Sequence, residues 1–277
     1  MASDEAALAC YYRAMHAPHP PIIPPEILLA AYRGGVFPMS DSRDDDEVYW
    51  VEPRERAIIP LAAFRPAKSL AKAIRQDRFH VTCNAAFAEV IAACAAPRLD
   101  HPETWISARI DASYRMLHAL GHAHSIECWH QGELVGGLYG VAFDRVFCGE
   151  SMFSRRTDAS KVALVWLVAL MRRAGYVLLD CQFMTDHLAS MGAVTVSRAG
   201  YLELLLDARR SPPRLSLPEA YASVSGDAVG DGDGLASAEG SAAGVADAPG
   251  LGAAAPGVAT PPSSPGKLIL QSFTQTS

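Results

Sequence analysis

Three strand-like segments lie between residues 133 and 182: Glu133-Leu-Val-Gly-Gly-Leu-Tyr-Gly-Val141, Arg145-Val-Phe-Cys-Gly-Glu-Ser-Met-Phe-Ser154 and Val177-Leu-Leu-Asp-Cys-Gln182. An apolar helix is predicted between the second and third segments, with Gly175 just after its end. Polar side chains gather where two of these strands end, at Glu150, Ser151, Asp180 and Gln182. Because α/β sheets bind ligands at strand ends, we expect the chemistry of this protein there.

The composition predicts a soluble, cytoplasmic protein of one or two domains. The chain has 277 residues, half of them hydrophobic, which is enough for a substantial core. Its longest apolar run, residues 162–171, is far shorter than the ~20 residues that cross a bilayer. The first residues are acidic, so no secretory signal is predicted. Because the net charge is -6, nucleic acid binding would need a local basic surface.

The sequence predicts no metal and no cofactor. The six cysteines form no Cys-x-x-Cys pair, which argues against a zinc site and against a small disulfide scaffold. The glycines between residues 132 and 149 form neither a G-x-G-x-x-G fingerprint nor a Walker loop. Their strand context predicts close packing or bulges instead.

The order of predicted elements divides the chain into four parts. Residues 1–60 are predicted to form a small, irregular N-terminal lobe punctuated by proline and glycine. Residues 61–207 interleave strands and helices, which predicts a mixed α/β, or α+β, sheet domain. Residues 208–266 are rich in Gly, Ala, Ser and Pro and are predicted to be a disordered tail. The last segment, 267–277, is apolar again and could dock as a strand on the sheet or in the small lobe.

Asp180 and Gln182 are the best candidates for a catalytic pair. They lie two residues apart on one strand, so their side chains should point the same way. A carboxylate beside a side-chain amide can accept a proton and orient a carbonyl, which suits acyl transfer to an amine. A Cys181–His187 nucleophile is a competing interpretation, but strand alternation turns Cys181 to the opposite face and no partner signature flanks it. An aspartate that only caps the following turn is the alternative without a catalytic role.

A basic stripe is predicted on one helix face and its two ends, formed by Arg65, Lys68, Lys72, Arg75 and Arg78. Such a stripe is most often a solvated helix face. In an acidic chain it is also the best candidate for contact with phosphates, and Arg155-Arg156 before the apolar helix add to it. Trp50 and Trp105 lie beside predicted loops and could stack on a base or an apolar substrate.

Eight spaced segments resemble the bacterial leucyl/phenylalanyl-tRNA-protein transferases. They form one collinear series over about residues 20 to 207: Gly35-Val-Phe-Pro, Trp50 with Pro53-Arg54, Thr104-Trp105-Ile106, Gly121-His-Ala-His-Ser-Ile-Glu127, Glu133-Leu-Val-Gly-Gly-Leu-Tyr-Gly140, Phe147-Cys-Gly-Glu-Ser-Met-Phe-Ser154, Ala159-Ser-Lys-Val-Ala163 and Asp180-Cys-Gln182. The resemblance implies a GNAT-like fold, similar to that of acetyltransferases, for the second domain. It also implies that Leu or Phe, with Met as a third candidate, passes from aminoacyl-tRNA to the α-amine of proteins beginning with Arg or Lys, marking them for N-degron degradation.

The resemblance also implies the residues of the site. Asp180, Gln182 and Glu150 would be catalytic, with Asp180 drawing a proton from the attacking amine through Gln182, while Glu150 could instead pair with the Arg or Lys side chain of the acceptor. Nine residues would form the aminoacyl pocket: Trp50, Trp105, Leu138, Phe147, Gly149, Ser151, Met152, Leu164 and Leu167. The basic stripe would bind phosphates of the tRNA acceptor stem. The family needs no metal or coenzyme, and we expect a monomer.

Two other functions remain as alternatives. A GNAT-like acyltransferase with another donor would share the fold, but the segment between Ser151 and Ser160 lacks the glycines of an acetyl-CoA pyrophosphate loop. A non-catalytic tRNA-binding adaptor would not need the complete set of Glu150, Asp180 and Gln182.

Overall fold

The computed structural model describes residues 22–45, 47–97, 103–226 and 264–274. These residues form nine helices and nine strands. The N-terminal part contains α1 (Pro25–Arg33), β1 (Phe37–Met39), β2 (Tyr49–Val51) and β3 (Glu55–Ile59). The middle contains α2 (Lys68–Arg75), β4 (His80–Cys83), α3 (Phe87–Cys94), α4 (Ala108–Ala119), β5 (Ala123–His130), β6 (Glu133–Phe143) and β7 (Val146–Ser154). The last part contains α5 (Ala159–Ala174), β8 (Leu178–Gln182), α6 (Asp186–Ser190), β9 (Val194–Ser197), α7 (Arg198–Ala208), α8 (Leu217–Ser225) and α9 (Pro265–Gln271).

A seven-stranded mixed sheet forms the centre of the fold, in the order β4-β5-β6-β7-β8-β3-β9. Its neighbouring strands are antiparallel except β7 and β8, which run parallel and are connected by α5. A separate small sheet pairs β1 with β2. The predicted mixed α/β fold, with a crossover helix between two strands, is therefore confirmed.

The apolar helix α5 packs against one face of the sheet. Every residue from 162 to 171 is buried, because the sheet covers one side of the helix while α2, α8 and α9 cover the other. A Cβ on Gly136 would lie 2.5 Å from that of Ala159, so glycine is what lets the start of α5 approach β6. Helices α1, α3, α4 and α7 cover the opposite face of the sheet. In the described residues no helix is long and apolar enough to cross a membrane.

The lobe boundary predicted at residue 60 is wrong, because β3 belongs to the large sheet. This strand lies between β8 and β9 and pairs antiparallel with both. Four of its five residues are buried, among them Arg56. The small N-terminal lobe thus ends before β3 and consists of α1 and the β1–β2 pair. No local pattern indicates this pairing, since both partner strands of β3 follow more than 100 residues later in the chain.

Helix α8 continues the fold beyond the predicted end of the catalytic domain. A capping box at Ser216 and Glu219 starts the helix, and Leu217 is fully buried. The Tyr221 hydroxyl donates to the carbonyl oxygen of Val81 at 2.9 Å. This hydrogen bond attaches α8 beside β4.

The predicted disordered tail is therefore wrong for residues 208–226. Ser216 and Pro218 indicate a loop by composition, but here they occupy the N-cap and the first turn of a helix, where both residue types are favoured. The tail prediction for residues 227–263 falls outside the described residues.

The last described segment docks as a helix, so the predicted strand is wrong. Helix α9 packs against α2, α5 and α8, with Ile269 and Phe273 buried. The Arg172 guanidinium donates to the carbonyl oxygen of Ser272 at 3.1 Å and lies 4.6 Å from the ring centroid of Phe273. The apolar side chains of this segment are Leu268, Ile269, Leu270 and Phe273. Their spacing fits one face of a helix packed on α5 better than it fits the alternation of a strand. Residues 275–277 lie outside the described residues.

Candidate active site

A cavity of about 590 Å³ opens where β7 and β8 separate. The two parallel strands pair as far as Cys148 and Asp180. Beyond these residues they no longer pair with each other, and the cavity lies in the gap, with α5 along one side. Polar residues predicted at the ends of these strands therefore surround a space that can hold a substrate.

Glu150 is the extra residue of a β-bulge in β7. In the register with β6, Gly140 lies opposite Gly149 and Tyr139 lies opposite Ser151, which leaves Glu150 without a partner residue. A bulge interrupts the alternation of side chains and re-aims them, and such irregularities are common beside active sites.

Most of the predicted aminoacyl pocket lines this cavity. Seven of the nine predicted residues do so: Trp105, Leu138, Gly149, Ser151, Met152, Leu164 and Leu167. The other two are absent from the lining formed by the described residues. Trp50 lies on β2 of the small lobe and is 43% exposed, whereas Phe147 is completely buried with its ring against Gly140. Phe147 precedes the point where the strands separate, so it packs into the core instead.

Three side chains hold the Glu150 carboxylate. Tyr32 of α1 donates to Oε1 at 2.8 Å, and Tyr114 of α4 donates to Oε2 at 3.0 Å. The Nε2 amide of Gln182 donates to Oε1 at 2.9 Å from across the gap between the strands. Both tyrosines are completely buried. The small lobe, the sheet and α4 thus each contribute to one buried cluster at the cavity.

Burial raises the pKa of Glu150 to about 7, well above the ordinary value of a glutamate. The hydrogen bonds from Tyr32, Gln182 and Tyr114 favour the ionised form and oppose this rise, but burial outweighs them. Near neutral pH the carboxyl is therefore present in both its charged and its neutral form. A group of this kind can exchange a proton or respond to an arriving cation.

We expect Glu150→Gln to stabilise the fold increasingly as the pH rises. A raised pKa in the folded state gives stability that is complete below about pH 4.5 and is lost as the pH rises through about 7. Glutamine cannot ionise, so the variant does not lose this stability. Its free energy of unfolding relative to that of the wild type should therefore increase by up to about 3 kcal/mol between pH 5 and pH 8. Urea unfolding at pH 5 and pH 8 measures this, with the exposed Glu203→Gln as a control. A difference between Glu150→Gln and wild type that is the same at both pH values would contradict it.

Asp180 lies behind the cavity in a buried ion pair. Its Oδ2 accepts from Arg56 Nη2 and from the Tyr201 hydroxyl, each at 2.9 Å, and its Oδ1 accepts from the backbone N–H of Gln182 at 2.8 Å. The side chains of the ion pair are 2% and 0% exposed. The Arg56 guanidinium lies near the rings of Phe37 and Tyr201, at 4.9 and 4.5 Å from their centroids. Asp180 is absent from the lining formed by the described residues and reaches the cavity through the main chain of Gln182.

Gln182 is the polar residue that the strand end presents to the cavity. Its φ of 62° is left-handed, a conformation uncommon for a residue other than glycine. The regular alternation assumed in the prediction stops there, and the Gln182 amide donates to Glu150. The predicted pair is thus connected, but through the backbone N–H of Gln182 and not through its side chain.

The competing Cys181–His187 nucleophile is not supported. Both residues line the cavity, and Cys181 packs on the sheet face covered by α5, opposite to Asp180, as alternation predicted. Burial, with a smaller effect of Asp180, raises the pKa of the Cys181 thiol and so opposes the thiolate. Burial and the nearby Lys161 lower the pKa of His187. In the described residues no hydrogen bond joins the thiol to the imidazole.

Sequence reasoning missed several residues of the site. Nine that it had not considered line the cavity: Met39, Tyr139, Phe153, Ser154, Ser160, Leu179, Phe183, Thr185 and Leu188. Some had a signal in the sequence, because Phe183 and Thr185 closely follow β8. Tyr32, Tyr114 and Arg56 had none, since each reaches the site from an element distant in sequence.

The predicted basic stripe is accessible. All five of its cations are exposed: Arg65, Lys68, Lys72, Arg75 and Arg78. Helix α2 turns its apolar face, with Leu70 and Ile74, to the core. Within the described ranges no group of three or more His, Cys, Asp or Glu residues is placed to hold a metal ion.

Comparison with known proteins identifies the class of enzyme. A family model described as leucyl/phenylalanyl-tRNA protein transferase matches residues 58–206, and a second model, for the N-terminal domain of the same transferase, matches residues 23–54. The division between the two models agrees with the start of the large sheet at β3. The protein is an aminoacyltransferase, with aminoacyl-tRNA and proteins as its substrates. The chain belongs to the leucyl/phenylalanyl-tRNA protein transferase family.

Similar proteins carry this family name. The leucyl/phenylalanyl-tRNA–protein transferase of Novosphingobium aromaticivorans is 60% identical over 262 residues, covering 93% of this chain and 98% of that protein. That of Rhizorhabdus wittichii is 61% identical over 183 residues, which are 66% of this chain and 74% of the relative. A solved structure, the C-terminal domain (DUF2156) of a protein from Agrobacterium fabrum, covers 60% of this chain and 54% of its own at 14% identity and a TM-score of 0.34. This likeness is too weak to indicate a function.

Proposed function

We propose that this enzyme moves Leu or Phe, with Met as a third candidate, from aminoacyl-tRNA to the N-terminal α-amine of proteins beginning with Arg or Lys. The product would be marked for degradation through an N-degron pathway. One observation carries the proposal: a cavity with apolar walls contains a single buried carboxylate, Glu150, hydrogen-bonded to the Gln182 amide. The family supports the transfer reaction, and the cavity supports the choice of substrates.

The apolar wall suits the side chain of the transferred amino acid. Leu138, Leu164, Leu167 and Trp105 line the cavity. A wall of this kind separates side chains that differ by one methylene by only ~1–3 kcal/mol. We therefore expect Leu, Phe and Met to be preferred over Val and Ala, without absolute exclusion of the smaller side chains.

Glu150 suits the cationic side chain of the acceptor. Among the described residues that line the cavity it is the one acid. A buried carboxylate forms strong charge-assisted hydrogen bonds with a guanidinium or an ammonium group. An acceptor with a neutral side chain would leave the carboxylate without a counter-charge, which is costly in a buried site. This difference between cationic and neutral side chains would make the site prefer acceptors that begin with Arg or Lys.

The transfer reaction needs an oriented amine more than a strong base, since the ester is already activated. The amine nitrogen forms the new amide bond, and the ester bond to the ribose oxygen breaks. The nitrogen loses one proton and the ribose oxygen gains one. Because Gln182 Nε2 donates to Glu150, the Gln182 Oε1 is the atom left to accept a hydrogen bond from the amine. Asp180 would act as a positioning residue, since it holds the backbone N–H of Gln182.

The basic stripe would hold the acceptor stem of the tRNA. Its five cations are exposed on and around α2, at the surface of an otherwise acidic chain. Contacts with phosphates add affinity without reading bases. The stripe would therefore contribute binding that falls as salt concentration rises.

Transfer of radiolabelled leucine from Leu-tRNA to four peptides tests the function. The peptides begin with Arg, with citrulline, with Gly and with Nα-acetyl-Arg. We expect efficient transfer to the Arg peptide and none to the acetylated one, which has no free α-amine. Citrulline keeps the shape of arginine without its charge, so its peptide should be a poor acceptor, and Glu150→Gln should reduce the difference between the Arg and citrulline peptides.

Two results would contradict the proposal in different ways. Failure of the wild type to use the Arg peptide would overturn the function. A citrulline peptide as good as the Arg peptide would leave the transfer intact and overturn the role of Glu150.

A further inference from the structure

We propose that a second, basic cavity binds the phosphates of the single-stranded 3′ end of the aminoacyl-tRNA; this inference rests on the proposed function. The cavity has a volume of about 460 Å³ and lies beside the turn between β7 and α5. Its lining consists of Arg78, Phe79, His130, Arg155, Arg156 and Thr157. Three guanidinium groups around one concavity match the geometry of phosphate groups, to which arginine donates two parallel hydrogen bonds.

The arginines are attached to ordered parts of the sheet. The backbone N–H of Arg155 donates to the carbonyl oxygen of Val135 at 2.7 Å, and its Nη1 donates to that of Leu134 at 3.2 Å. Arg78 precedes β4, and its carbonyl oxygen lies 3.3 Å from His130 Nδ1. Arg155 is therefore held at β6, and the main chain of Arg78 lies beside the end of β5.

The charge at this cavity is strongly positive. Of the described acids, Asp158 is the one with an ion pair to a lining residue, and its Oδ2 lies 3.8 Å from Arg78 Nη1. The groups involved in that contact are 28% and 48% exposed, so the pair is solvated and weak. Three arginines against one aspartate leave a net positive charge.

The basic cavity is separated from the aminoacyl cavity by a single short turn. Ser154 and Ser160 line the first cavity, the proposed aminoacyl site, whereas three of the five residues between them, 155–157, line the basic cavity. In the last nucleotide of a charged tRNA, the amino acid ester and the 5′ phosphate are carried by the same ribose. A nucleotide with its ester in the first cavity would thus place its 5′ phosphate across the turn, in the basic cavity, and the preceding phosphates would follow it there.

This assignment distinguishes two adjoining phosphate sites that share Arg78. The stripe on α2 would hold the double-stranded stem, and the basic cavity would hold the unpaired end next to the reacting ester. Because the unpaired end leads directly to the ester, its contacts would position the reactive bond as well as add affinity.

Donors of increasing length test the site. They are the 3′-leucyl ester of adenosine, the 3′-leucyl ester of the dinucleotide cytidylyl-(3′→5′)-adenosine, and Leu-tRNA. The double substitution Arg155→Gln, Arg156→Gln should raise KM for the dinucleotide ester about tenfold and leave KM for the adenosine ester, which has no phosphate, within twofold. The matched control Lys72→Gln, Arg75→Gln should raise KM for Leu-tRNA alone.

An unchanged KM for the dinucleotide ester, or an equal rise for both esters, would overturn the site. Calorimetric binding of the uncharged dinucleotide keeps this result independent of the transfer reaction. If the wild type transferred leucine from none of the donors but the double variant still bound the dinucleotide about tenfold more weakly, the proposed function would fail and the phosphate site would stand. Equal binding by wild type and double variant would overturn the site.

Discussion

Asp180→Ala should lower the free energy of unfolding by about 3–5 kcal/mol, because it leaves the Arg56 guanidinium buried without its counter-charge. The ion pair is 2.9 Å long and its two side chains are almost completely buried. The Arg56 Nε and Nη1 atoms already have no hydrogen-bond partner within the described part of the chain. The carboxylate is therefore the main compensation for this charge.

A double variant separates the structural role of Asp180 from its role in the reaction. Asp180→Leu combined with Arg56→Met removes both charges and should recover most of the lost stability, since apolar residues often replace a buried ion pair at little cost. Transfer should stay slow, because the backbone N–H of Gln182 has lost its acceptor. Urea unfolding and single-turnover transfer measure the two effects. A double variant with both native stability and native transfer would show that Asp180 serves only to neutralise Arg56.

Asp180→Asn tests whether Asp180 is itself the base. Asparagine can still accept the hydrogen bond from the Gln182 N–H, although it loses the charge. If Asp180 positions Gln182, the variant should transfer more slowly, because the neutral amide oxygen holds the Gln182 N–H less strongly than the carboxylate does. The shape of the pH–rate profile should be unchanged. Disappearance of a limb of that profile would instead assign Asp180 as the proton acceptor.

Gln182→Ala should slow single-turnover transfer about 10²- to 10³-fold, the loss typical of one oriented hydrogen-bonding group in an active site. The Gln182 amide reaches Glu150 at 2.9 Å and lines the cavity where the amine would enter. Its removal also leaves Glu150 Oε1 with Tyr32 as its remaining donor. Rapid-quench assays with a saturating Arg peptide measure the chemical step.

Two further variants make this result specific. Gln182→Gly also removes the side chain but relaxes the backbone at φ 62°, so it should be more stable than Gln182→Ala by about 0.5–1 kcal/mol and equally slow. Cys181→Ala changes the neighbouring cavity residue without removing a proposed hydrogen bond and should transfer within a few-fold of wild type. If Cys181→Ala transferred leucine slowly but had normal stability, the result would favour Cys181 as a nucleophile.

The sequence was most informative where apolar runs mark the elements. Between residues 133 and 182 the strands and the helix are such runs, and the predicted elements are all present. The polar residues at the strand ends were visible because they interrupt apolar runs. Glu150 and Gln182 could therefore be located at the cavity before its geometry was known.

The sequence was least informative where contacts between distant parts of the chain determine the structure. Nothing local indicates that Arg56 is buried, or that β3 inserts between two strands from the other end of the domain. The bulge at Glu150 and the positive φ at Gln182 depend on pairing with neighbouring strands, so alternation could not predict their side-chain directions. Composition also concealed α8, since its cap and its proline are the residues that elsewhere begin a loop.

The hydrogen bond from Tyr32 to Glu150 crosses the boundary between the two domains that the family models match separately. An excised C-terminal domain would lack Tyr32, one of the three donors to the Glu150 carboxylate. A chimera that exchanges the first domain between relatives must therefore supply a phenol at position 32. Recombination at the junction of the two domains would therefore also exchange one of the groups that hold Glu150.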